Sequence, residues 1–354
     1  MKISIYIFLI FISSQAGSQT LGGNAAFNFV KLSASPLLTS IGGVNASITT
    51  NDIGLAFYNP ALLKPAMHTQ LQAAFNDFYA GIKTYNLSMG YYNPVIKTSF
   101  AYGVHYINYG NIQQTDAAGN VFGNFRPTDW VMQVSAAHSY LQKWNLGTSI
   151  KFINSDYGQY KSNALAADIG LQYQDSAKLF SASVLVKNLG VQLKKYNNVS
   201  VEELPFDLVV GITKRLAKAP FGFSFTANNL NVFDIRYNDE NFNSVNVSGQ
   251  NQDNKKYIFD KIFRHVVLAA HIYVDSKIEF NIGYNHLRRQ ELSIANSGKG
   301  LNGFSMGAGI LLNKMQIRFA RTNYQNNTAF NQLGINLKLN EYFGLGKFGE
   351  KIKW

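Results

Sequence analysis

Thr84-Tyr85-Asn86-Leu87-Ser88-Met89-Gly90-Tyr91 places large apolar side chains at odd positions and small or polar ones at even positions. Successive side chains of a strand point to opposite faces, so this segment has one apolar face and one polar face. Phe221, Phe223 and Phe225 alternate with Gly222, Ser224 and Thr226 in the same way, and Leu333, Ile335, Leu337 and Leu339 alternate with Gln332, Gly334, Asn336 and Lys338. Segments of this kind recur from about residue 70 to residue 339. A soluble sandwich and a membrane barrel both carry such strands, so the connections and the flanking sequence must separate them.

Ahead of the strands, Lys2 opens the chain, Ile3 to Ile12 is an almost unbroken apolar run, and Ala16, Gly17 and Ser18 follow as small residues. That is the order of a secretion signal, residues 1–18, with cleavage expected before Gln19. The apolar run is short for a membrane span. Composition fits export to a membrane. Of 354 residues 46% are hydrophobic and 14% aromatic, while only 15% are charged, against a usual charged share of about 25%. No later stretch reaches the roughly 18 consecutive apolar residues of a spanning helix. Apolar residues dispersed at period two instead suit strands that touch lipid directly. The absence of Cys leaves no disulfide framework and no Cys-based metal site.

Fourteen strand-like segments are expected, near 69–77, 81–91, 97–109, 129–140, 144–156, 163–174, 179–189, 206–216, 220–231, 263–274, 277–288, 301–312, 314–324 and 329–339. Short turns at Asn93-Pro94, Gln142-Lys143, Asp175-Ser176, Lys218-Ala219, Asp275-Ser276 and Asn313 alternate with longer connections near 110–128, 157–162, 190–205, 232–262, 289–300 and 325–328. Short turns on one side and long loops on the other are the pattern of an outer-membrane barrel. In hydrocarbon an unpaired strand edge costs several kcal/mol per polar group, so such a sheet must close. The expectation is an all-β, 14-stranded antiparallel transmembrane β-barrel over 67–340, with both termini periplasmic and a basic tail, 341–354. Tyr140 and Trp144, Tyr173 and Phe180, Tyr273 and Phe280, and Tyr91 and Phe100 bracket short turns, as amphipathic rings at a membrane interface do.

Residues 19–66 do not alternate and are dense in Gly and Pro, which mark turns and close backbone approaches. A barrel of this strand number has a lumen wider than its own side chains fill, and a plug or hatch inserted from the periplasm is the natural use of the segment. Gly22-Gly23, Phe27, Leu32-Ser33-Ala34-Ser35, Ile41-Gly42-Gly43, Asn51-Asp52 and Phe57-Tyr58-Asn59-Pro60-Ala61 resemble the start of Bacteroidetes outer-membrane proteins related to the fatty-acid channel FadL. Within that group, length and opening are most similar to the PorQ-like members of the type IX secretion system. Pro36-Leu37 departs from the Arg-containing run of that subfamily. The resemblance implies a noncatalytic barrel that anchors PorZ-, PorU- and PorV-like partners while secreted cargo is joined to anionic lipopolysaccharide. A FadL-like transporter of hydrophobic molecules is the alternative. Ser, Asn, Gly and Gln dominate the strand face opposite the lipid, and that polar parity favours anchoring.

Other chemistry finds little footing. Gly303-Phe304-Ser305-Met306-Gly307 matches the G-x-S-x-G spacing, but that motif needs a strand-to-helix elbow, and Ser305, Gly307 and Gly309 share one parity of a strand. The six His residues show no H-E-x-x-H spacing, and no cofactor or metal is expected. The net charge of +12 points to phosphate-bearing lipid rather than nucleic acid, since basic residues near strand ends attract such headgroups. Arg288 and Arg289 are the expected lipopolysaccharide contacts. Phe233, Tyr237, Phe242 and Tyr257, aromatics in a polar loop, are the expected partner surface.

Overall fold

The computed structural model describes residues 25–196, 201–235, 254–275, 277–292, 300–325 and 328–343. Fourteen antiparallel strands close into one barrel, as the alternation requires. They are β1 (Gln70–Asp77), β2 (Lys83–Asn93), β3 (Thr98–Asn108), β6 (Thr128–Tyr140), β7 (Trp144–Tyr157), β8 (Tyr160–Asp175), β9 (Phe180–Lys194), β10 (Asp207–Arg215), β11 (Phe221–Ala227), β12 (Val266–Val274), β13 (Ile278–Asn285), β14 (Phe304–Leu311), β15 (Met315–Gln325) and β16 (Thr328–Lys338). A separate hairpin, β4 (Ile112–Thr115) with β5 (Val121–Phe125), stands on the connection between β3 and β6. Closure is made by β1 against β16, in register from Gln70 opposite Lys338 to Asp77 opposite Asn331.

The barrel is inside out relative to a water-soluble protein. Leu87, Ile150 and Ile282 are 50%, 61% and 53% exposed, whereas Asn86, Ser149 and Asn281, their neighbours along the same strands, are buried. Water would not tolerate so wide a girdle of exposed apolar side chains, but hydrocarbon does. No described helix is long and apolar enough to cross a membrane. The chain is therefore a membrane-spanning β-barrel.

Among the described residues four α-helices depart from the strand pattern: α1 (Pro36–Ser40), α2 (Asn254–Arg264), α3 (His286–Glu291) and α4 (Asn340–Phe343). The strand expected over 263–274 starts at Val266 because α2 occupies the residues before it. The strand expected over 277–288 stops at Asn285, whose side chain accepts from Arg288 N and caps α3. The connections at 157–162 and 325–328 are tight rather than long: Tyr157 pairs with Tyr160 and Gln325 with Thr328. The long-loop end is thus built by the β3–β6, β9–β10, β11–β12 and β13–β14 connections.

Residues 25–69 run through the lumen. Ala25 bridges Glu203 on the β9–β10 connection at the long-loop end. Thr69, at the opposite end, donates its N–H to Gly90 and accepts from Leu339 N–H. Ala25 and Leu339 therefore lie at opposite mouths of the barrel, and the expectation of both termini on one side concerns residues outside the described ones. Strand parity fixes only where β1 begins and β16 ends; the segment before β1 then crosses the barrel. Leu37, Leu38, Ile41, Ile48 and Leu55 of this inner segment form a buried cluster, one of the water-excluded apolar clusters that lie inside the barrel, between segment and wall. The secretion signal over 1–18, with Gly22 and Gly23, lies outside the described residues, as does the tail beyond 343.

Candidate functional site

At the long-loop mouth, residues distant in sequence line an open cavity of about 490 Å³. Tyr109 follows β3, Asp129 opens β6, Tyr157 ends β7, Tyr160 opens β8, Tyr196 follows β9, and Ala25 to Phe29 of the inner segment supply the floor. The Asp129 carboxylate is buried and has no ion-pair partner among the described residues. Its Oδ2 accepts from the phenols of Tyr109 (2.5 Å) and Tyr157 (2.9 Å). Bonds to a charged acceptor are short and strong, so this carboxylate fixes both rings. Tyr157 stacks on Tyr196 at 5.7 Å between centroids, and Tyr196 meets Phe27 at 5.8 Å. Burial, then the Asp129 charge, holds the Tyr109 phenol well above its ordinary pKa. Burial pushes Tyr196 up to about 12. Tyr109 and Tyr196 therefore stay neutral phenols at any physiological pH.

Below this floor the barrel interior is apolar over one quadrant. Phe27 and Phe29 pack with Ile107, Val131, Ile153, Ala164 and Ala166 of four neighbouring strands and with Leu204. The expected polar lumen is thus incomplete, because parity averaged over whole strands hides a patch confined to their long-loop ends. Elsewhere Leu185, Val209 and Ala269 of the wall pack on the inner segment, and polar wall side chains grip it. Arg318 Nη1 lies 3.2 Å from Asp52 of that segment, while its Nε donates to Glu279 at 2.6 Å. Asp52 also accepts from Gly54 N and from Asn336 Nδ2, which caps a 3-10 turn and ties it to β16. Asn59 does the same elsewhere: Oδ1 accepts from Ala61 N, while Nδ2 donates to Ala46 O and to Ser183 Oγ of β9. Lys151 and Asp168 form a buried pair at 2.6 Å.

The residues carrying the family resemblance accordingly hold the inner segment in place. Gly42 and Gly43, at φ 96° and 80°, terminate α1 in the left-handed region, with Gly43 N donating to Leu38 O. Pro60 begins a 3-10 turn after Asn59, and Ala61 sits against Gly147 and Gly170 of the wall. Asn51 is exposed. Arg288 does not face lipid. It is 8% exposed and donates to Gly42 O (3.2 Å) and Thr322 Oγ1 (3.1 Å), because α3 turns it inward where a continued strand would have pointed outward. Arg289 is half-buried, donates to Asn302 O at 3.4 Å and lies 6.0 Å from the Phe304 ring. Phe233 is exposed with Lys261 5.9 Å from its ring. Tyr257 lies on α2, and Tyr237 and Phe242 fall outside the described residues.

Ser305 shows why G-x-S-x-G was not an elbow here: it sits within β14 and its hydroxyl donates to Ser40 O at 3.1 Å. His271 contacts Ser224 and Asn281, polar neighbours on the same wall. Among the described residues no three His, Cys, Asp or Glu side chains converge as a metal site. The mouth constellation was not visible as a motif. Its one sequence signal is a carboxylate, Asp129, on the lumen face of a strand beginning, with tyrosines at neighbouring strand ends.

No family model matches the sequence, and no curated protein matches it. Among solved structures the chain is similar to the CymD monoaromatic hydrocarbon channel, with 13% identity over 88% of this chain and 97% of that one, at a TM-score of 0.47. It is similar to a TodX monoaromatic hydrocarbon channel deltaS2 mutant, with 12% identity over 86% and 97% and a TM-score of 0.49. A Pseudomonas aeruginosa FadL homologue gives 10% identity over 87% and 98%, with a TM-score of 0.45.

Proposed function

We propose that the chain is an outer-membrane uptake channel for small hydrophobic molecules, with the mouth cavity as the first binding site and the inner segment as the gate beneath it. The observation that carries this reading is the aromatic cavity whose floor is the inner segment itself and which rests on an apolar quadrant of the lumen. A ligand held there touches both wall and gate, so binding can bias the position of the gate. The size suits a small molecule, and aromatic walls with a few polar groups, here Asn28, Asp129 and Glu202, are the usual makeup of such sites. Nothing among the described residues adds to the attachment-complex reading. It remains distinguishable because it requires PorZ- or PorU-like proteins to copurify from solubilised outer membranes.

Titration of the purified protein with a monoaromatic hydrocarbon and with a long-chain fatty acid, followed by vesicle uptake of whichever binds, tests the proposal. Asp129→Ala is expected to weaken binding about ten-fold or more, since loss of two charge-assisted bonds frees both rings, and ten-fold is only about 1.4 kcal/mol. Binding of neither probe, or affinity untouched in both Asp129→Ala and Tyr157→Ala, would refute the site.

A further inference from the structure

Helix α2 is amphipathic the wrong way round for a helix on a protein in water. Ile258, Phe259, Ile262 and Phe263 share one side, as positions i, i+1, i+4 and i+5 must, and all four are exposed, Phe259 to 64%. Asp260, Lys261 and Arg264 instead face the protein. Asp260 accepts from Arg264 at 2.8 Å and lies 3.3 Å from His286 Nε2 of α3, and Lys261 pairs with Asp234 at 2.7 Å. A solvated helix buries its apolar side and wets its charges. This one does the reverse, as the barrel itself does.

Its apolar side is continuous with the lipid-facing girdle. Phe263 meets the His286 ring at 6.0 Å, His286 meets Tyr284 at 6.1 Å, and Tyr284 meets Phe304 at 4.9 Å; Tyr284 and Phe304 lie on the outer face of β13 and β14. Directly below, that outer face is not smooth. Ala270 stands where neighbouring strands carry Phe223 and Ile282, and the missing bulk leaves a groove of about 450 Å³ bounded above by Leu268 and Tyr284. The groove is almost wholly apolar in its lining, so an alkyl chain fits it and a polar peptide does not.

We propose that α2 is a membrane-embedded rim helix: its apolar side sits in the leaflet at the long-loop end, and the groove beneath it takes a lipid acyl chain. The occupant is lipid rather than a second protein because helix, girdle and groove form one uninterrupted apolar surface on a barrel already bathed in hydrocarbon. The ion pairs on the inner side then orient the helix, turning its charges to the protein and its rings to the membrane.

The chain has no Cys, which makes single-thiol labelling clean. Phe259→Cys and Ile262→Cys would carry bimane in proteoliposomes of phosphatidylcholine, with Leu87→Cys as the girdle control and Ala118→Cys, exposed on the β4–β5 turn, as the aqueous control. Brominated phosphatidylcholine is expected to remove most of the fluorescence at 259 and 262, as at 87, while aqueous iodide quenches only 118. If iodide quenches 259 and 262 as it does 118, the helix is not in lipid. Protection from both quenchers would mean that protein, such as a second copy, covers it, and would equally overturn the proposal.

Discussion

Arg318→Ala is expected to free the inner segment from the wall. The substitution leaves Asp52 and Glu279, with side chains 1% and 2% exposed, as buried carboxylates deprived of their shared cation. Removing one partner of a buried ion pair costs about 3–5 kcal/mol. That is a large part of the few kcal/mol by which any such docking can be stable. Ala46, fully buried in the inner segment, offers a reporter: a thiol at Ala46→Cys should resist a water-soluble maleimide in the parent and react readily in Arg318→Ala. The combined variant Asp52→Asn, Glu279→Gln, Arg318→Met contains no unpaired charge and is expected to recover much of the protection. Equal reactivity in parent and Arg318→Ala would show that the triad does not hold the segment.

Gly283→Val is expected to have a comparable effect for a steric reason. A Cβ at Gly283 would fall within the backbone of Ile41 and Gly42, where α1 ends, and Gly42 itself is pressed against Val267. Backbone on both sides cannot repack as side chains do, so the cost should reach or exceed the roughly 1–3 kcal/mol of ordinary overpacking. Gly147→Val should act likewise against Pro60 and Ala61. Gly123→Val, in β5 with nothing within 4 Å of its added Cβ, should change nothing. Thermal unfolding and the Ala46→Cys reporter measure both. If Gly283→Val and Gly123→Val behave alike, the inner segment does not lie where these contacts put it.

The barrel was legible because its strands obey one rule repeatedly. Tyr85, Leu87, Met89 and Tyr91 all face outward, and Thr84, Asn86 and Ser88 all face inward, so period two alone assigned faces. Strand boundaries were close for the same reason: 129–140 was expected and Thr128–Tyr140 found. The wall glycines 147, 283, 307 and 334 were visible too, but only as small residues on the lumen parity. Their meaning needs the third dimension, since each marks where the inner segment touches the wall. The cavity was invisible because Phe27, Tyr109, Asp129, Tyr157 and Tyr196 come together through strand order, not spacing. Helix α2 was hidden in a loop read by length alone, and α3 begins where a strand was expected, which reversed the direction of Arg288.

In the proposed function the inner segment closes the barrel beneath its mouth cavity. Single-channel recording of the full-length protein in planar bilayers tests this most directly, with Arg318→Ala alongside. The parent is expected to show no steady ionic current and Arg318→Ala to show openings of a size suited to a vacated 14-stranded lumen. A steady, porin-like conductance from the parent, unchanged in the variant, would contradict it.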